Sequence, residues 1–288
     1  MIITKLKGGM GNQMFQYALG RALSLKYGVP LKLDIEEYSI KNKVERHYDL
    51  DLFNISAEVA QINEIPKSHR NIIKNRFLIK INSIMNRFFK EKGSEVSFTF
   101  DSSILNIGPD AYLDGYWQSP KYFENIESII RKDFTLKNKL PLNIENLKEV
   151  IKKENSLCIH IRRGDYVGNA FHEIVGKEYY RESIEKMKSL TTVDKIYVFS
   201  DDIKWCEDNM KFDLPVMFVG EEYAGQKAEG HMTLMSACHN FIIPNSSFAW
   251  WSAYLCEFKD KKVIVPKQWF TDASINSDDL IPKDWIRV

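Results

Sequence analysis

The sequence predicts an α/β protein built of two Rossmann-like domains that face each other across a cleft. Three observations lead there. The chain has 288 residues, more than one hydrophobic core usually supports. Short apolar, strand-like runs alternate with amphipathic stretches in both halves. A glycine turn follows the first such run directly, which is how parallel sheets open crevices for ligands. With 44% hydrophobic and 12% aromatic residues, the chain has core material for two domains.

Ile2 to Leu6 reads as the first strand, Gly8 to Gly11 as a tight turn, and Met14 to Tyr27 as a helix closed by Gly28 and Pro30. Leu31 to Asp34 follows as a strand. Residues 67–92 carry eight Lys or Arg and one acid, net +7, interleaved with Ile73, Phe77, Ile81, Ile84, Met85 and Phe88 at helical spacing. That pattern is a basic amphipathic helix, either packed on the core or resting peripherally on the anionic inner-membrane face. Ala111 to Trp117 is the next strand, and Pro120 opens a helix to about Arg131. A polar stretch from Lys137 to Asn146 dilutes the apolar pattern, so the first domain is drawn at 1–146 and the second at 147–288. The extreme C-terminus is expected to pack back on the first domain. In the second half, strands are expected at Ser156 to Ile161, Lys195 to Ser200, Pro215 to Val219, Asn240 to Ile243 and Lys262 to Val265. Helices are expected between them, at Glu178 to Lys188, Ile203 to Asn209, Met232 to Cys238 and Phe248 to Cys256.

A formal net charge of +1 argues against nucleic acid as a partner. Cys158, Cys206, Cys238 and Cys256 form no close pair, so neither a zinc site nor a redox dithiol is indicated. No run reaches transmembrane length, and the chain begins at once on a strand, which points to a cytoplasmic protein. Oligomeric state leaves no mark.

Three constellations could carry chemistry. In Cys158 to Val167 an apolar strand runs into His160, Arg162, Arg163, Gly164 and Asp165. Paired guanidiniums offer planar forks of donors that can neutralise a diphosphate without a metal ion; the alternative is a salt bridge between Arg and Asp. In Ile243 to Trp251 a strand stops, Ser246 and Ser247 follow, and a helix begins. Backbone N–H groups and hydroxyls there make an anion site, or the serines merely cap the helix. The Gly8 to Gln13 turn resembles a dinucleotide fingerprint but has Met14 in place of the third glycine. A nicotinamide oxidoreductase is therefore the competing reading, while the amides of Asn12 and Gln13 could equally orient sugar hydroxyls or phosphate oxygens. Asp201 and Asp202 end a strand and cap the next helix; as a metal pair they lack a third ligand.

Taken in order, several segments resemble glycosyltransferase family 11, the bacterial α-1,2-fucosyltransferases. They are Gly8 to Ala18, Asp114 to Ser119 with Tyr122 and Phe123, His160 to Tyr166, Phe199 to Asp202, Leu234 to Ser236, Asn245 to Trp251, and Pro266 with Trp269. The resemblance implies a GT-B-type fold, with an acceptor-side first domain and a second domain that binds GDP-fucose. It also implies inverting transfer of L-fucose to O2 of a terminal galactoside in a glycan acceptor, with no cofactor and no metal. On this chain Arg163 would bind the pyrophosphate with Arg162 in support, and His160 would sit near the guanine or phosphate. Asn12 would lie by the pyrophosphate and fucose, and Ser246, Ser247 and Phe248 would flank the nucleotide. Asp165 is the first choice of base, although two neighbouring guanidiniums should weaken it; His172 and Glu173 are the alternatives. Many relatives carry an Asp where this chain has His231, so Glu229 or Asp201 would have to replace a guanine contact there. A non-catalytic carbohydrate-binding protein is the third reading.

Overall fold

The computed structural model describes residues 1–39, 46–66, 99–164, 175–270, 272 and 275–288. The basic stretch 67–92 lies outside the described residues. The chain divides into two units, Met1–Lys137 and Asn138–Val288.

In the first unit, β1 (Ile2–Lys5), β2 (Leu31–Asp34), β3 (Glu58–Val59) and β4 (Ala111–Leu113) form a parallel sheet in the order β3-β2-β1-β4. Helix α1 runs over Met10–Tyr27, starting four residues before the position the sequence suggests. Gly8 alone takes the left-handed conformation the turn needs, at φ +77°. Gly11 is thereby left free to be helical. The amides of Asn12 and Gln13 both donate to the Gly9 carbonyl, at 2.9 and 3.1 Å, so both residues belong to the first helical turn. Gly20 lets α1 lie on the sheet, because a Cβ there would collide with Thr4 and Leu31. Gly28 ends the helix at φ +63°.

Where one helix was expected from Pro120 to Arg131, two 3₁₀ turns, Pro120–Tyr122 and Glu124–Ile126, precede a short α2 (Glu127–Asp133). The interruption is at Phe123, whose φ of −137° no α-helix tolerates; the buried ring fixes it there.

The second unit opens on α3 (Leu142–Ile151), within the stretch that reads as polar, since only Ile144 and Ile151 of the helix are buried. There follow β5 (Ser156–Ile161), α4 (Lys177–Leu190), β6 (Lys195–Ser200), α5 (Ile203–Asn209), β7 (Val216–Phe218), α6 (Glu229–Ser236), β8 (Asn240–Ile242), α7 (Ser247–Leu255), β9 (Val263–Val265) and β10 (Ile286–Arg287). The sheet is parallel, in the order β10-β9-β8-β5-β6-β7. Every residue of β5 is buried, as expected of a strand covered on both faces. The last residues complete this sheet: Val288 donates to the Val265 carbonyl at 3.0 Å. From β5 the chain proceeds through β6 to β7 on one side, while β8, β9 and β10 lie on the other. The strand order therefore reverses between β5 and β8, and the carboxyl ends of those two strands flank the switch point.

Candidate active site

Arg162 and Arg163 stand directly beyond β5. The strand pairs with β6 in a register that sets His160 beside Phe199 and Ile161 beside Ser200. Continuing that register by two steps brings Asp201 to Arg162 and Asp202 to Arg163. The side chains complete it: Arg162 Nη1 lies 3.0 Å from Asp201 Oδ2, and Arg163 Nε lies 3.3 Å from Asp202 Oδ2. Asp201 also accepts the backbone N–H groups of Arg163 at 2.8 Å and Gly164 at 2.9 Å. One carboxylate thus fixes both the turn and a guanidinium. A Cβ on Gly164 would come within 2.5 Å of Asp201 Oδ2, so glycine is required for that approach. Asp202 caps α5 by accepting from the Trp205 N–H at 3.2 Å, and the Trp205 ring carries the Arg163 guanidinium 3.6 Å from its centroid.

These ion pairs are partly exposed, and such pairs contribute about 0–1 kcal/mol to stability. Their effect is to fix geometry. Arg163 meets Asp202 through Nε, so its two terminal nitrogens, the pair that grips a phosphate bidentately, are not spent on it. Both carboxylates face guanidiniums, a setting that repels a cation. Among the described residues no group of three or more His, Cys, Asp or Glu is placed to hold a metal ion.

His160, the fifth residue of β5, is 5% exposed, and among the described residues its Nδ1 has no hydrogen-bond partner. Burial, then the Arg162 charge and His231, push its pKa down to about 3, so the ring is neutral. A buried ring nitrogen without a partner costs about 1–3 kcal/mol. The Phe248 ring stands 6.1 Å away, centroid to centroid, on the neighbouring strand connection. There Ser246 is the N-cap of α7, its Oγ accepting from the Ala249 N–H at 3.4 Å, and Ser247 is the first helical residue. Ser246 therefore serves as a cap of α7. Trp250 and Trp251 are fully buried core.

His160, Arg162, Arg163, Ser246, Ser247 and Phe248 thus gather at the switch point of the second unit. Asn12 belongs to the first unit, where its Oδ1 accepts from Gln118 Nε2 at 2.8 Å. Asp165, His172 and Glu173 lie outside the described residues. The two proposed stand-ins at the base are both occupied: Asp201 as above, and Glu229 by accepting the N–H groups of Gln226 at 2.9 Å and Lys227 at 2.7 Å. His231 Nε2 lies 2.9 Å from the Gly220 carbonyl, to which it can only donate. Asp201 as the anchor of the arginine turn, and Trp205 as its platform, are not evident from residue type. The signal was positional: two adjacent acids ending the strand after the one that ends in two arginines.

Parallel strands in both units, with an arginine pair at the switch point of the second, are the architecture of a GT-B-type glycosyltransferase. The chain belongs to glycosyl transferase family 11, whose model matches residues 1–288. It is 34% identical to an α-1,2-colitosyltransferase of Escherichia coli, over 100% of this chain and 99% of that one. It is 31% identical to the O-antigen biosynthesis glycosyltransferase WbnK of Escherichia coli, over 98% and 99%. A galactoside 2-α-L-fucosyltransferase of Caenorhabditis elegans is 31% identical over half of this chain and 42% of its own length. The fold is similar to that of NodZ α-1,6-fucosyltransferase in crystals soaked with GDP-fucose, with a TM-score of 0.56 at 14% identity over 92% of this chain and 94% of that one. Membership in the family sets aside the oxidoreductase and non-catalytic readings. Among the described residues no helix is long and apolar enough to cross a membrane.

Replacing Asp201 by Ala releases Arg162 and two loop amides together. GDP affinity, measured by calorimetry, is expected to fall about 10-fold or more, the loss of a charged hydrogen-bonding group; Asp201→Asn, which keeps an acceptor oxygen, is expected to fall less. His160 gives a second expectation. Its folded pKa lies below its ordinary value of 6.5, so the unfolded chain binds the extra proton, and stability is lost as pH falls from about 6.5 toward 3. His160→Gln is expected to flatten that loss by about 1.4 kcal/mol per pH unit, read from denaturant unfolding at pH 7 and pH 5.

Proposed function

We propose that the protein transfers L-fucose from GDP-β-L-fucose to a hydroxyl of a glycan acceptor, O2 of a terminal galactoside, with inversion and without a metal ion. The observation that carries this reading is the arginine pair held by Asp201 and Asp202 at the β5–β8 switch point. Nucleotide-sugar transfer leaves a diphosphate carrying the charge released at the anomeric carbon. Arg163, steadied by Arg162, and the first-turn N–H groups after Ser246 stabilise that charge as it grows. Preorganised donors of this kind are worth about 3–4 kcal/mol each in the transition state. His160 supplies a neutral nitrogen to the nucleotide, with Phe248 beside it, and Asn12 orients the sugar and pyrophosphate. Asp165 takes the proton from the acceptor hydroxyl; the guanidiniums near it in sequence make it a weak base, and His172 and Glu173 are the alternatives.

Support for the donor comes from the NodZ neighbour, whose crystals were soaked with GDP-fucose, and for the linkage from the galactoside 2-α-L-fucosyltransferase relative. The α-1,2-colitosyltransferase relative, similar along the whole chain, supports a second donor. Colitose is fucose without its 3-hydroxyl. A site that hydrogen-bonds that hydroxyl rejects the deoxy sugar by about 10⁴-fold, whereas one that merely accommodates it discriminates about 10²-fold or less.

The test is GDP release from GDP-fucose and GDP-colitose with a panel of β-galactosides, followed by linkage analysis of the product. GDP-fucose is expected to be the better donor and the product an α-1,2-fucoside. Activity is expected to stay within about twofold in EDTA, since charge stabilisation rests on the protein's own donors. Preference for GDP-colitose would establish the second donor, and an enzyme killed by chelation and restored by manganese would overturn the metal-free reading.

A further inference from the structure

The first unit has a switch point of its own. The chain leaves β1 through α1 toward β2, while β4 lies on the other side of β1, so a second crevice opens at the carboxyl ends of β1 and β4. Directly after β4, burial alternates: Gly115, Trp117 and Ser119 are buried, while Asp114, Tyr116 and Gln118 are partly exposed. Each of these three is gripped from the β1–α1 side. Lys7 Nζ lies 2.9 Å and Lys5 Nζ 3.3 Å from the Asp114 carboxylate. Lys7 Nζ also stands 4.7 Å above the centroid of the Tyr116 ring. Gln118 Nε2 donates to Asn12 Oδ1 at 2.8 Å. Between Tyr116 and Gln118, Trp117 holds a φ of +54°, a conformation an aromatic residue rarely adopts, with its side chain 1% exposed. Such strain costs on the order of 1–3 kcal/mol and persists where surroundings enforce it, commonly at functional sites.

The chemistry of this row differs from that of the second unit. Lys5 and Lys7 bring two positive charges, and Asp114, Asp34 and Glu37, which interacts with all four, bring three negative ones. The formal sum is −1. A diphosphate gains nothing from such a surrounding, whereas a neutral polyhydroxylated sugar is matched by a carboxylate, a phenol, an amide pair and an aromatic face. Burial raises the pKa of Asp114, but Lys7 and then Lys5 outweigh it and hold the acid below its usual range. The carboxylate stays ionised and can accept from two sugar hydroxyls.

We propose that Asp114, Tyr116 and Gln118, with Asn12 behind Gln118, form the subsite that binds the neutral sugar of the acceptor glycan. The inference rests on the proposed function, in which a glycan hydroxyl is the second substrate. The three side chains are binding residues that set acceptor affinity and contribute nothing to the nucleotide.

Asp114→Asn, Tyr116→Phe and Gln118→Ala are the variants to test, with acceptor KM measured on a galactoside from the panel above and GDP affinity by calorimetry. Acceptor KM is expected to rise about 10-fold or more for Asp114→Asn, less for the other two, with GDP affinity unchanged within about twofold in Asp114→Asn and Tyr116→Phe; Gln118→Ala also removes the partner of Asn12 and is read by acceptor KM alone. Asp114 is partly buried between two lysines and its variant can fail to fold; Tyr116→Phe removes a single hydroxyl and keeps the test decisive. Unchanged acceptor KM in Tyr116→Phe and Gln118→Ala, or a parallel loss of GDP affinity in Tyr116→Phe, would overturn the subsite while leaving the transferase reading intact. A wild-type enzyme that binds GDP but transfers to no galactoside overturns the acceptor assignment, and the subsite with it.

Discussion

Two arginines at the end of β5 meet two aspartates at the end of β6, one register step apart on adjacent parallel strands. Most of what the second unit can do depends on that pairing. Four charges within hydrogen-bonding distance sum to zero. Asp201 receives Arg162 and two backbone amides, and it therefore fixes the turn as well as the charge. The Trp205 ring under Arg163 confines the guanidinium further. Preorganisation of this kind is what allows protein donors to act on a leaving diphosphate without reorganising at the moment of reaction.

The sheet supplies the precision. Strands β5 and β6 are six residues each and buried over nearly their whole length, so their register cannot slip without turning core side chains to the wrong face. The same burial leaves His160 Nδ1 without a hydrogen-bond partner among the described residues and lowers the pKa of the ring. The two switch points then divide the chemistry. Cationic forks and a helix start stand at the second, and Asp114, Tyr116 and Gln118 with two lysines and Asn12 stand at the first.

Much of this was legible in the residues. Strands Ser156 to Ile161 and Lys195 to Ser200 and helix Ile203 to Asn209 fall where their apolar runs and caps place them, because buried parallel strands read as continuous apolar segments. The start of α1 was not legible, since three glycines in a row of four look like one long turn although a single left-handed residue, Gly8, suffices. Helix α3 hid because it buries only two apolar side chains, and β10 because two residues leave no periodicity. Within the site, the arginines announced themselves by type. Asp201 did not: its role comes from which strand lies beside β5, and strand order is not a property of local sequence.

The central claim is that Arg163, held by Asp202 and Trp205, grips a diphosphate. Calorimetry of GDP and GMP binding to the wild type and to Arg163→Ala tests it most directly, because the two ligands differ only in the outer phosphate. The account predicts that the wild type prefers GDP by about 10-fold or more and that Arg163→Ala loses most of that preference. A variant that keeps the wild-type ratio of GDP to GMP affinity would contradict it.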